Sequence, residues 1–232
     1  YWRDWSSDVC SSDLLVTNNY LGLSSQNYNG TLNPAFGDLD VDGDLDILLG
    51  LDDGRMIYFK NCGGAGAPIS ICQVTPFFMG IDAGNAAAPH IADMKRDGLP
   101  DLVLGNKNGI LKYYENIGSP GNPFFAVAPT IDTLGRVLLQ SAGATDGFTD
   151  PFIFEYNGQY RAVVSCMQGG VYLYGDIDGN LSGTWSILDT IEDKVLGNRY
   201  GYNLTVGGGD INGDSLTDLV IGLYSGGVQL YY

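Results

Sequence analysis

Asp38-Leu39-Asp40-Val41-Asp42-Gly43-Asp44-Leu45-Asp46 sets an acidic side chain at every second position and runs straight into Ile47-Leu48-Leu49-Gly50. The two halves ask for different surroundings. Carboxylates this close repel one another, and folding crowds them further. The apolar run that follows has no polar alternation, which is the pattern of a short strand covered on both faces. Gly43 permits a sharp reversal between the two. An acidic turn feeding a doubly buried strand is thus the unit from which the rest of the chain can be read.

The unit recurs. Asp93-Met94-Lys95-Arg96-Asp97-Gly98-Leu99-Pro100-Asp101 leads into Leu102-Val103-Leu104-Gly105, and Asp210-Ile211-Asn212-Gly213-Asp214-Ser215-Leu216-Thr217-Asp218 leads into Leu219-Val220-Ile221-Gly222. Each copy continues into a glycine turn (Asp53-Gly54, Asn108-Gly109, Gly226-Gly227) and an aromatic strand. A degenerate copy carries Glu155, a shortened Tyr156-Asn157-Gly158-Gln159 turn and the strand Ala162-Val163-Val164-Ser165. The anchors Asp38, Asp93, Glu155 and Asp210 lie 55, 62 and 55 residues apart. Short strands at that period, without helical periodicity, predict an all-β repeat array or propeller. The repeats are expected at about 31–80, 86–130, 148–190 and 203–232, within a β region of 15–232. A further outer strand is expected in each inter-repeat segment, as at 74–79 and 124–127.

A divalent cation resolves the repulsion in the acidic loops. Calcium takes about six to eight hard oxygens in flexible geometry. The side chains of Asp38, Asp40, Asp42 and Asp46 and the backbone carbonyl of Asp44 can supply them, with the Asp44 side chain then pointing to solvent. Asp210, Asn212, Asp214 and Asp218 repeat the spacing, with Leu216 standing where Asp44 does. Ser215 in place of glycine makes that turn costlier and the site weaker. In the second repeat Lys95 holds the third position. An ammonium has no lone pair to give. Folded back among Asp93, Asp97 and Asp101 it would replace the cation, so no calcium is expected there. An EF-hand needs a Glu at loop position 12 and flanking helices. Leu49 and Ile221 stand there, in strands, and a dockerin-type helical module fails in the same way.

These segments, 34–60, 89–114 and 206–232, resemble FG-GAP/VCBS repeats, as in integrin α-subunit-like β-propellers. The tract Tyr113-Tyr114-Glu115-Asn116-Ile117-Gly118-Ser119-Pro120-Gly121-Asn122-Pro123-Phe124-Phe125 is similar to the inter-blade linker of secreted Bacteroidota proteins of that family, often exported by type IX secretion. The resemblance implies a propeller fragment of about four blades, calcium in the inter-strand loops, and secreted or cell-surface adhesion or ligand binding. Lys95 and the shortened turn after Glu155 depart from it.

Composition narrows the partners. Eleven Lys+Arg against 27 Asp+Glu, a net charge of −16, disfavour nucleic acid and anionic lipid. No apolar run is long enough for a membrane span. Residues 1–14 resemble translated sequencing adapter, and the chain is expected to be an internal, metagenomic-type fragment truncated at both ends. Cys62 and Cys72 flank a Gly/Ala/Pro-rich excursion, which suits a disulfide in an oxidising compartment, while Cys166 reads as a buried small hydrophobe. His90, the one histidine, has no nucleophile motif beside it and reads as structural. Asp176-Ile177-Asp178-Gly179-Asn180 resembles half a site and reads as a turn. The expectation is therefore a non-enzymatic calcium-binding propeller whose partner is an extracellular protein or glycan. Two alternatives are the propeller domain of a polysaccharide lyase or glycosidase and a structural spacer in a large surface protein.

Overall fold

A computed structural model of the chain describes residues 21, 23, 30–140, 145–191, 204–223 and 227–232. The chain divides into Tyr1–Gly30 and Thr31–Tyr232. The adapter-like residues 1–14, with most of the first unit, lie outside the described residues, as does Gly226 of the last turn. The second unit is all-β.

Its strands form four antiparallel sheets, each a meander in chain order. The first holds β1 (Leu32–Gly37), β2 (Asp46–Leu51), β3 (Met56–Asn61) and β4 (Ile71–Pro76). The second holds β5 (Ala88–Ala92), β6 (Asp101–Gly105) and β7 (Leu111–Tyr114). The third holds β8 (Asp150–Tyr156), β9 (Gln159–Ser165), β10 (Val171–Gly175) and β11 (Ser186–Thr190), and the fourth β12 (Thr205–Gly209), β13 (Asp218–Gly222) and β14 (Val228–Tyr231). Asn157 and Gly158, with φ of 51° and 76°, close the two-residue hairpin between β8 and β9, a turn that needs left-handed backbone at both positions.

The outer strand expected at 124–127 does not form. Pro123 and Pro129 bracket that segment and offer no N–H to a ladder, and Phe125 is buried in the core between the first two sheets. The chain meets β7 a few residues later instead. Tyr113 N–H donates to the Ile131 carbonyl, and the N–H groups of Thr130 and Ile131 donate to the Tyr113 carbonyl.

The second strands explain their own composition. Side chains alternate across a strand, so an unbroken apolar run serves two layers. In β6, Leu102 and Leu104 join Leu48, Met56 and Tyr58 of the first sheet. Val103, between them, joins Ile153, Ala162 and Val164 of the third sheet. In β9, Val163 turns the other way to Ile221 of the fourth. The expectation of burial on both faces fails for Leu219 and Val220 of β13, which are half-buried. Leu219 faces the third sheet with Ile221, whereas Val220 points to the opposite face, beyond which no further sheet lies among the described residues.

Gly50, next to last in β2, and Gly105, last in β6, are dictated by the next repeat. A Cβ on Gly50 would run into the Ala87 carbonyl, and one on Gly105 into that of Thr149. Each entering chain crosses directly over the preceding sheet.

The first strands β1, β5, β8 and β12 neighbour one another in chain order and line a cavity of about 570 Å³. One side chain ties each to the next. Asn33 Nδ2 donates to the Ala87 carbonyl over 2.9 Å. His90 Nε2 lies 3.0 Å from the Ile153 carbonyl oxygen and 3.1 Å from the Ile153 nitrogen, donating to the first or accepting from the second according to its tautomer. Val206 N–H donates to Asp150 Oδ2 over 3.0 Å.

Two of these ties titrate in opposite senses. Burial lowers His90 from its ordinary 6.5 to about 4, and burial raises Asp150 from 3.8 to about 7. His90 contributes stability that is full above 6.5 and is lost as pH falls toward 4. Asp150 contributes stability that is full below 3.8 and is lost as pH rises toward 7. The slopes oppose each other between about pH 4 and 6.5. Replacing Asp150→Asn removes one of them. Its unfolding free energy relative to the unchanged protein should climb with pH across 4–7, by up to about 1.4 kcal/mol per unit. Urea melts at several pH values read this directly, and a constant offset would refute the assignment.

Candidate metal centre

The 38–46, 93–101 and 210–218 loops join the first strand of a sheet to the second, and each is shaped by its first and ninth residues. In the first loop, Asp38 accepts the N–H groups of Asp42 (3.0 Å) and Gly43 (2.9 Å). In the second, Asp93 accepts those of Asp97 and Gly98 at 3.0 and 2.8 Å. In the last, Asp210 accepts those of Gly213, Asp214 and Ser215. The backbone is left-handed at the fourth position (Val41, Arg96, Gly213) and again at the sixth (Gly43, Gly98, Ser215). For branched Val41 at φ 62° that conformation is costly, on the order of 1 kcal/mol or more, and the Asp38 bonds hold it. Ser215, at φ 68°, takes on the strain that glycine avoids in the other two loops.

The ninth residue fastens the loop to the third strand. Asp46 is fully buried. Its Oδ2 accepts Leu39 N–H and the Tyr58 hydroxyl, and its Oδ1 accepts Asn61 N–H at 2.9 Å. Asp101 does the same with Met94 N–H, the Tyr113 hydroxyl and Asn116 N–H. Burial raises both carboxyl groups, Asp101 to about 6, and the bonds they accept pull back down. Asp218 accepts Ile211 and Asn212 N–H groups. Leu230 stands across the ladder where the other two repeats have tyrosine.

The third, fifth and seventh positions distinguish the loops. Asp38, Asp40 and Asp42 each bring a carboxylate oxygen within 4.8 Å of the others. Asp40 is 1% exposed; its Oδ2 is ion-paired with the Lys60 ammonium, and its Oδ1 accepts no hydrogen bond. Burial, then the neighbouring Asp44 and Asp38 charges, push the Asp42 carboxyl above its ordinary range. One ammonium beside three converging carboxylates leaves part of the repulsion and the Asp40 Oδ1 desolvation uncompensated, which a divalent cation would offset. The donor set is all hard oxygen, which suits calcium rather than a soft metal. Asp46 is outside this group of three, although a carboxylate oxygen that accepts a hydrogen bond keeps a lone pair for a cation.

Asp44 corrects the sequence reading. Its side chain is buried rather than solvent-facing, and Oδ2 accepts Gly64 N–H at 2.6 Å. The excursion closed by the Cys62–Cys72 disulfide, with Cα atoms 5.9 Å apart, supplies that N–H. Asp44 Oδ1 accepts nothing.

The last loop is self-contained. Asn212 Nδ2 donates to Asp214 Oδ2 and Asn212 Oδ1 accepts Asp214 N–H. Asp210, Asp214 and Asp218 do not gather as the first three carboxylates do. Leu216 presents an exposed side chain, and its N–H donates to Asp214 Oδ1.

Lys95 does not fold back among all three acids of its loop. It reaches Glu115 Oε1 at 2.6 Å and Asp97 at 3.7 Å, leaving Asp93 to its backbone partners and Asp101 to backbone N–H groups and the Tyr113 hydroxyl. Next to it, Arg96 leaves the loop altogether. Its guanidinium pairs with Glu155 and Asp178, each at 2.9 Å, and lies 4.1 Å over the Tyr160 ring. The half-motif at 176–180 is thus a turn that receives the neighbouring repeat's arginine.

No protein-family model matches the sequence, and no curated protein matches it. Among solved structures, the chain is similar to one titled "Crystal structure of BBS1N in complex with ARL6DN, soaked with mercury", at 14% identity and a TM-score of 0.38 over 85% of this chain. The match spans 52% of that chain, about half its length.

Because the ninth-position bonds are the same in the first and second repeats, they do not depend on which residue holds the third position. Asp46→Ala and Asp101→Ala should each lower the unfolding free energy by about 3 kcal/mol with chelator present. Chemical denaturation of both variants checks this; an Asp101→Ala protein as stable as its parent would show that the fastening is dispensable.

Proposed function

We propose that this chain is part of a calcium-stabilised β-propeller of the FG-GAP/VCBS kind, acting outside the cell in adhesion or in binding a protein or glycan. The observation that carries the reading is the convergence of Asp38, Asp40 and Asp42 on one point, with Asp40 buried and its Oδ1 left without a donor although Lys60 pairs with Oδ2. Four sheets whose first strands neighbour one another around a shared cavity are disposed as propeller blades are. The Cys62–Cys72 disulfide suits an oxidising compartment such as that of a secreted or surface protein. Among the described residues no helix is long and apolar enough to cross a membrane, which leaves strand-built spans unaddressed.

In this reading Asp40, Asp42 and Asp38 hold the ion, with the Asp44 carbonyl beside them. The 210–218 loop is a weaker second site through Asp210, Asn212, Asp214, Leu216 and Asp218. Bound calcium would offset part of the loop's negative charge and stiffen the reversal into β2. The role is non-enzymatic. His90, the one histidine in the sequence, commits Nε2 to the Ile153 backbone, and the loop acids are accounted for by turn shaping and cation holding.

Calcium at millimolar concentration should raise the melting temperature over that in EDTA, with a dissociation constant on the order of 10⁻⁴–10⁻³ M. Asp42→Asn should weaken that response at least tenfold, and the equivalent Asp97→Asn in the second repeat should leave it alone. Superimposable melts with and without calcium would sink the reading. Glycan-array binding would then separate a binding module from a spacer.

A further inference from the structure

The end of the third strand carries a residue that covaries with the loop's third position inside this one chain. Lys60, at the end of β3, lies against Asp40 as an ion pair and stands 3.2 Å from Asp42. In the second repeat the polarity is reversed: Lys95 is the loop residue, Glu115 follows the strand, and Asp97 again lies beside the pair. Asn61 and Asn116, the next residues, make matching bonds to Asp46 and Asp101, so the two positions correspond. In the last repeat the pair is Asn212 and Tyr232, both uncharged. Each acidic loop of the first two repeats therefore holds one ammonium between its third position, its fifth position and the strand end. One arrives from the strand, the other from the loop.

From this we propose that Lys60 is an intramolecular competitor for the cation site. Its ammonium and a divalent cation occupy the Asp40 and Asp42 carboxylates in turn. This rests on the calcium reading above and adds to it the group that sets the affinity. The physical ground is that Asp40 is too buried to remain charged alone. Some cation must stand beside it, and Lys60, with its side chain 24% exposed, has a flexible stem that can swing to water. In the second repeat no such exchange is open, because Lys95 itself occupies a ligand position. The first loop is accordingly a two-state element: lysine-closed at low calcium, cation-filled and lysine-released at high calcium.

The test uses the full chain in two measurements. In the unmodified protein, amine acylation read by peptide mass spectrometry should show Lys60 labelling several-fold faster at saturating calcium than in EDTA, with Lys95 unchanged as the internal reference. In Lys60→Met, calorimetric titration with calcium should give a dissociation constant about tenfold lower than in the parent. Its melting temperature should fall in EDTA and recover with calcium. If parent and variant bind calcium equally and Lys60 labelling does not respond, the competition is overturned while the calcium site stands. If neither binds calcium, the calcium reading falls and takes this one with it. If only the variant binds, Lys60 closes the site outright and the inference holds in its strongest form. Should the variant fail to fold without calcium, the labelling of the unmodified protein decides alone.

Discussion

A single buried carboxylate organises each of the first two acidic repeats. Asp46 takes one N–H from the loop behind it, one from the end of the neighbouring strand β3, and the hydroxyl of the core residue Tyr58. Asp101 repeats the arrangement atom for atom. A charged acceptor satisfied three times over is worth far more than the neutral bonds of the ladder around it. It also fixes register, because a slip by one residue would turn the carboxylate to the opposite face. The loop's reversal, the start of β2 or β6 and the end of β3 or β7 are thereby set by one side chain. Everything variable in the loop is suspended between that fastening and the first-position aspartate.

What is suspended there differs from repeat to repeat, and the differences are coupled. Asp40 faces Lys60, Lys95 faces Glu115, and Asn212 aligns with Tyr232. A third-position change alone would leave either two like charges or a lone buried ion, each costly. Arg96, at the adjacent position, shows another use of the same loop. Its side chain leaves for Glu155, Asp178 and the Tyr160 ring of the third sheet, and Tyr160 answers with a hydroxyl bond to the Asp93 carbonyl. The loop thus gathers three carboxylates around a lysine in one repeat and serves as an inter-sheet clasp in the next.

Much of the architecture was legible in the sequence because the repeat spelled it out. Unbroken apolar triplets between an aspartate and a glycine read as strands serving two layers, and Leu102, Val103 and Leu104 do so, though Val220 does not. The absent strand at 124–127 was less so: Pro123 and Pro129 were visible, but the pull of Phe125 into the core was not. The candidate site was legible in composition and only partly in role. Alternating aspartates look equivalent along the chain, whereas in three dimensions the first and ninth mostly hold backbone and the seventh is covered by the disulfide-closed excursion. Lys60 was missed because it lies at the far end of a hairpin. Aligning Lys60, Glu115 and Tyr232 in one column would have disclosed the pairing before any fold was known.

The first strands are joined by one tie apiece and one apolar layer between successive sheets, and the layers are unequal. The two between the first three sheets each enclose a dozen buried side chains. Among the described residues the layer before the fourth sheet encloses Val163, Val171, Leu204 and Ile221. Pulled from its two ends, such a molecule would not yield as a unit. Tension would peel the fourth sheet away first and leave the other three bearing load, so that the chain gives slack in a graded way, one sheet at a time.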